Sequence, residues 1–217
     1  MNFPARAKVG RIVAKENFYK GIDAATKKLF QNEILRIVWE YKLAPNTVNL
    51  LAKKWPEVEV FRIELKNGEI PEKVLRAIDS AIPYPILFLI KKGTVEKAAI
   101  CYKEQSRKNE NISRVDKYFY TDWNDEKLAN IKIDGLDVDA VFNNFVRQVA
   151  GDKLASTGKT SEVPKSIKDD VEALKEREKI LKQIAALDRK IKAEPSLGKK
   201  QELAEERYQL KKLLETL

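Results

Sequence analysis

The sequence predicts an α+β fold: a mostly antiparallel sheet with two or three packed helices, followed by a C-terminal antiparallel helical hairpin. Three observations predict it. All three Trp, all eight Phe and six of the seven Tyr lie at or before Phe145, so the first part of the chain holds the material for a core. Within that part the apolar spacing switches between the two-residue period of strands and the 3.6-residue period of helices. Beyond residue 164 the chain is mostly Lys, Glu, Leu, Ile and Ala, the composition of a long coiled helix. The expected organisation is a globular domain over 1–155, a linker over 156–166 and a hairpin over 167–217.

Residues 1–22 are basic and irregular, with Phe18, Tyr19 and Ile22 as anchors. Asp23 suits an N-cap. Phe30, Ile34, Ile37, Val38 and Tyr41 then follow helical spacing, which predicts a helix over 24–41. Pro45 closes it, and Thr47 to Leu51 is expected as a short strand. Glu57 to Leu65 alternates polar and apolar, as a half-buried strand does, and Asn67-Gly68 ends it. Pro71 opens a helix with Val74, Leu75, Ile78 and Ile82 on its apolar face. Ile86 to Ile90 reads as a buried central strand. Lys91 to Thr94 forms a basic turn into a strand over 95–103. A polar loop over 104–113 precedes a strand over 116–123. Leu136, Val138, Val141, Phe142, Phe145 and Val149 mark a helix that Gly151 terminates.

The tail repeats the helical pattern at Ile167, Val171, Leu174, Ile180, Ile184, Leu187 and Ile191, with a break after Leu174. Glu194 to Gly198 is a turn, and Leu203, Leu210 and Leu217 fall seven apart with Leu214 between. These four leucines are the candidate partner-binding stripe. A hairpin of this kind buries little area alone: its apolar stripe packs on itself or on the globular domain, serves as a docking arm for a partner, or joins two copies of the chain.

Composition excludes several chemistries. With no histidine, a Ser-His-Asp triad, a Cys-His pair and a His-ligated metal are impossible. The single Cys101 excludes a cysteine-rich zinc site and an internal disulfide, and its apolar setting marks a buried thiol. No metal or cofactor is expected. The longest apolar run, Ile86 to Ile90, falls far short of the about 20 residues a membrane span needs, and no signal-peptide stretch opens the chain. A cytoplasmic, prokaryotic protein is the expectation.

The net charge of +9 favours polyanionic partners. Lys91, Lys92, Lys97, Arg107, Lys108, Arg114 and Lys117 are the candidate DNA-binding positions, with Tyr102 and Tyr118 adding aromatic character. Gly158-Lys159-Thr160 lacks the earlier glycine of a phosphate loop, because position 153 is Lys153. Glu64-Leu65-Lys66 matches the E-x-K of divalent-metal nucleases, in which the carboxylate binds the metal and the lysine positions water. The upstream acid such a site needs is absent from Thr47 to Leu51. Asp137 or Asp139 is read as a helix cap, and Trp123 as closing the core edge.

Five stretches occur in order: Lys42 to Pro45, Val60 to Lys66, Ile82 to Phe88, Tyr118 to Trp123, and Leu136 to Val141 running on to Phe145 to Gln148. As a set they resemble a bacterial domain-of-unknown-function family. Its members are similar to accessory proteins encoded beside Swi/Snf-type helicases and restriction-modification-like methyltransferases. The resemblance implies a setting, phage defence near DNA, rather than a reaction. Two readings follow. The first is a non-enzymatic adaptor that contacts a helicase or methyltransferase subunit, with DNA as a further partner. The second is a divalent-metal nuclease using Glu64 and Lys66.

Overall fold

Six strands form one sheet, in the spatial order of their succession along the chain. They are β1 (Lys8–Val13), β2 (Ile34–Leu43), β3 (Val58–Leu65), β4 (Ile86–Lys92), β5 (Val95–Gln105) and β6 (Ser113–Tyr120). The helices are α1 (Ala24–Glu33), α2 (Pro45–Val48), α3 (Glu72–Ala81), α4 (Lys127–Asn130), α5 (Val138–Ala150), α6 (Asp152–Ala155), α7 (Ile167–Ala193) and α8 (Leu197–Thr216). The computed structural model describes residues 3–105, 113–124, 126–155 and 166–216. Two compact units result, Met1–Gly151 and Asp152–Leu217. Among the described residues no helix is long and apolar enough to cross a membrane.

All neighbouring strands are antiparallel except β3 and β4, which run parallel with α3 as the crossover. Side chains alternate across the pleat, so the inner strands serve two cores. On one face Phe61, Ile63, Phe88, Ile90, Ala99 and Cys101 pack with Phe30 of α1 and Val74, Leu75 and Ile78 of α3. On the other, Tyr102 of β5 stacks on Phe142 of α5, and Trp55 meets the same ring edge-on. Phe3 bridges Tyr41 and Phe145 on that side. Phe30, Phe88, Phe142 and Phe145 are fully buried, each stabilising the fold by roughly 2–3 kcal/mol.

Three local expectations are corrected. The helix predicted over 24–41 ends at Glu33, and Ile34–Leu43 is a strand. Its register shifts between Ile34 and Arg36 and between Trp39 and Tyr41. Each bulge inserts a residue and breaks the two-residue alternation, leaving apolar residues at a spacing that imitates a helix. The strand expected over Thr47 to Leu51 is instead the turn of helix α2, with Pro45 at its first position. There the Ala44 N–H donates to Thr47 Oγ1 at 2.8 Å. Residues Lys8–Val13, expected to be irregular, form edge strand β1, nearly all exposed and so without an apolar signature.

The second unit holds α7 and α8, which pack together around a turn at Glu194 to Ser196. Ile180, Ile184 and Leu187 are buried along α7. Arg207 of α8 pairs with Asp188 of α7 at 2.8 Å. The linker expected over 156–166 lies outside the described residues up to position 165; Ser166 caps α7 by accepting from Asp169 N–H at 3.2 Å.

Candidate functional site

The parallel pair β3 and β4 ends at Leu65 and Lys92, and Glu64, Lys66, Lys91, Lys92 and Lys97 of the charged residues singled out from the sequence lie around those ends. Glu64 stands opposite Arg36 and accepts from its guanidinium at 2.6 Å. Lys66 turns away and donates to the Gln31 carbonyl at 2.7 Å, while its backbone N–H donates to Glu33 O. Beside them Arg62 bridges Glu40 at 2.7 Å and Glu96 at 2.8 Å. This sheet face is therefore a ladder of alternating charges. The E-x-K pair is divided between two structural contacts, and among the described residues no group of three or more acidic or cysteine side chains could hold a metal.

The basic positions separate. Lys92 and Lys97 converge on Glu69, in the turn between β3 and α3, with Nζ 3.7 and 2.5 Å from its carboxylate. Trp123 Nε1 donates to the same carboxylate at 2.7 Å. Both ammonium groups lie over the Trp123 ring, Lys92 at 4.7 Å and Lys97 at 4.5 Å from its centre. The hydrogen bond from Lys97 holds the Glu69 carboxyl below its usual range. Lys91, half-buried, faces Glu64 and Glu96 in the sheet register. Arg114 is exposed on β6, and Lys117 of the same strand is half-buried. Arg107 and Lys108 lie outside the described residues.

The aspartates near α5 hold backbone. Asp137 caps α5, accepting from Ala140 N–H at 2.8 Å, and pairs with Lys53 at 2.5 Å. The ion pair with Lys53 and the cap lower its pKa. The Asp139 carboxylate accepts from Lys53, Lys54 and Trp55 N–H groups at 3.1–3.4 Å. Together they fasten the segment between β2 and β3 to the start of α5, alongside the Val138 N–H bond to Leu51 O.

On α8, Leu203, Leu210 and Leu214 are half-buried on the same stripe as Arg207, whose partner lies on α7. This stripe serves the hairpin's own seam. Leu217 lies outside the described residues. Among the described residues, the large apolar side chains that the hairpin exposes are Leu181, Leu197, Tyr208 and Leu213.

A family model for a domain of unknown function, DUF4391, matches residues 1–217. The chain belongs to the DUF4391 family. Neither a curated protein nor a solved structure matches it.

Two polar clusters in this DUF4391 chain escaped the sequence reading. The Lys103 ammonium is fully buried, 2.8 Å from Asp79 Oδ1, and donates to the carbonyls of Asp79, Ile82 and Tyr84 at 2.7–2.9 Å. Tyr118 donates to the other Asp79 oxygen, and Arg76 lies 5.3 Å over the Tyr118 ring. Burial pushes the Asp79 carboxyl up, and Lys103 opposes the shift. The same burial raises the Tyr118 hydroxyl and the Cys101 thiol, so Cys101 stays an inert thiol. The signal was an acid at position 79, one turn past Leu75 on an apolar helix face. The second cluster is Glu59, buried in β3, which accepts from Trp39 Nε1 at 2.5 Å. Burial first, then the neighbouring Glu57, pushes its carboxyl up to about 8. Glu57 in turn pairs with Lys42 at 2.5 Å.

Proposed function

We propose that this chain is a non-enzymatic accessory subunit of a helicase- or methyltransferase-type restriction or phage-defence system in the cytoplasm. It acts by protein contact, with DNA as a further contact. The observation that carries the reading is α8. Twenty residues long, it has no buried residue, and it exposes Tyr208 and Leu213 on the two flanks of the stripe that meets α7. A helix with one seam satisfied and apolar side chains left on its outer surface is suited to a partner groove.

The ionisable groups favour the same reading. Glu64 is neutralised by Arg36, Lys66 is spent on a carbonyl, and Asp79 and Lys103 hold each other inside the core. Asp137 and Asp139 hold amides. Each is engaged in shaping the fold rather than gathered around a space for substrate.

The test is affinity capture of the tagged chain from its own cells, with the captured proteins identified by mass spectrometry. Enrichment of a helicase or methyltransferase subunit, lost in Tyr208→Glu with Leu213→Glu, supports the adaptor. Magnesium-dependent DNA cleavage by the isolated protein, lost in Glu64→Ala, replaces it with the nuclease.

A further inference from the structure

Three N–H donors from three segments of the chain aim at one carboxylate. They are Lys97 Nζ at 2.5 Å, Trp123 Nε1 at 2.7 Å and Lys92 Nζ at 3.7 Å from Glu69. Two of the donors are held in place, Lys97 and Trp123. The side chain of Lys97 is only 11% exposed, lying 5.6 Å from the Tyr120 ring centre and 4.5 Å from that of Trp123. The segment carrying Trp123 is pinned to β5 on both sides. Thr121 N–H donates to Ala98 O at 3.1 Å, Ala98 N–H to Thr121 Oγ1 at 3.0 Å, and Asn124 N–H to Glu96 O at 2.7 Å. Glu96 N–H donates to Asn124 Oδ1 at 3.0 Å.

The acceptor is not fixed in the same way. Glu69 is 62% exposed, in a turn that Gly68 makes at a φ of +68°. Among the described residues, Glu69 is the carboxylate that accepts from Lys97 and Trp123, on a long, solvated side chain. The cluster also stands just past the carboxyl ends of the parallel strands β3 and β4, the end of an α/β unit where ligands bind.

We propose that Lys92, Lys97 and the Trp123 indole N–H form a phosphodiester-binding site for a nucleic-acid backbone, which Glu69 occupies in the free chain and vacates on binding. The proposal rests on the DNA contact within the function proposed above and gives it a place. A phosphodiester carries one negative charge on two free oxygens and accepts from the same donors as a carboxylate. An acidic peptide would exchange one carboxylate for another. A nucleic-acid strand brings a row of phosphates to a chain of net charge +9 and releases counterions, which favours the exchange. The indole contributes its N–H, which points at the same carboxylate as the two ammonium groups. Binding is then independent of base sequence and shared by single and double strands.

The test is fluorescence anisotropy of labelled DNA of two unrelated sequences with the full chain. Glu69→Gln removes the competing charge but keeps the side-chain length; Glu16→Gln makes the same charge change on the exposed turn before α1. The site predicts that Glu69→Gln tightens binding about fivefold on both sequences and Glu16→Gln less than about twofold. Lys97→Ala added to Glu69→Gln removes the gain. In nitrogen-15 spectra the Trp123 indole N–H resonance moves on titration with DNA, while those of Trp39 and Trp55 stay. Equal affinities for Glu69→Gln and Glu16→Gln, a stationary Trp123 resonance, or stronger displacement by polyglutamate than by unlabelled DNA would overturn the proposal. Partner capture keeps the two readings apart: an unaltered chain that captures no helicase or methyltransferase subunit, beside a retained DNA gain in Glu69→Gln, rejects the adaptor alone.

Discussion

Lys103 and Asp79 form an ion pair whose two side chains are both wholly shielded from water, 2.8 Å apart. Lys103 also ties off the carboxyl end of α3 through the carbonyls of Asp79, Ile82 and Tyr84. One lysine on β5 thereby anchors the crossover helix of the parallel pair to the sheet face it covers.

Lys103→Met should cost about 3–5 kcal/mol in urea unfolding, because it leaves a buried carboxylate and three carbonyls without their donor. Asp79→Asn should cost less, since the amide still accepts. The double variant Lys103→Met with Asp79→Asn should lose less than the two single losses added, as it leaves no unpaired charge. Strict additivity would show that the two groups are not coupled.

Glu59 makes stability depend on pH. Its folded pKa of about 8 lies above the ordinary carboxylate value, so the folded chain holds a proton that the unfolded chain releases. The folded state is therefore favoured at low pH, and that advantage is lost as pH rises from about 4.5 through about 8. Glu59→Gln should be near neutral at the acid end of this window and stabilising at the alkaline end, by on the order of a few kcal/mol. Thermal unfolding of both proteins across the window measures it; parallel pH profiles would refute it.

Asp139→Ala should cost about 1–3 kcal/mol, because the N–H groups of Lys53, Lys54 and Trp55 lose a charged acceptor. Asp139→Asn should retain part of that. Amide exchange at residues 53–55 should quicken in the alanine variant, and unchanged exchange would show that another group holds the segment.

Glu64→Ala and Lys66→Ala should each change stability by less than about 1 kcal/mol, since the Arg36 partner of Glu64 and the Lys66 side chain are exposed to solvent. With magnesium or manganese the isolated protein should leave supercoiled and linear DNA intact.

Much of the fold was legible. Strands β3 and β4 announce themselves by alternation and by an apolar run, and α5 by the spacing of Val138, Val141, Phe142, Phe145 and Val149. The hairpin was legible from Pro195 and the two apolar stripes around it. Strand β2 was not, because two bulges give Ile34, Ile37, Val38 and Tyr41 a helical spacing; β-branched and aromatic side chains were the better guide there. Lys92, Lys97 and Trp123 were each noticed, but nothing local couples them. Their meeting at Glu69 depends on the β4–β5 hairpin and on the turn after β3, which sequence spacing does not encode. Leu203, Leu210 and Leu214 form the stripe the spacing predicted, and α7 lies against it.

That last relationship separates two pairs of variants. Leu210→Glu with Leu214→Glu places charge in the α7–α8 seam and should lower helix content by circular dichroism. Tyr208→Glu with Leu213→Glu alters only exposed positions and should leave the spectrum unchanged. Equal loss of helix in both would mean that the exposed positions also support the hairpin.

The most direct measurement is quantitative capture with the Tyr208→Glu, Leu213→Glu chain beside the unaltered chain, both tagged and drawn from the native cells. The account predicts that the unaltered chain brings down a helicase or methyltransferase subunit in near-equal amount, and that the variant, still helical, brings down little. Recovery of the unaltered chain alone, with DNA cleavage that needs magnesium and Glu64, would contradict it.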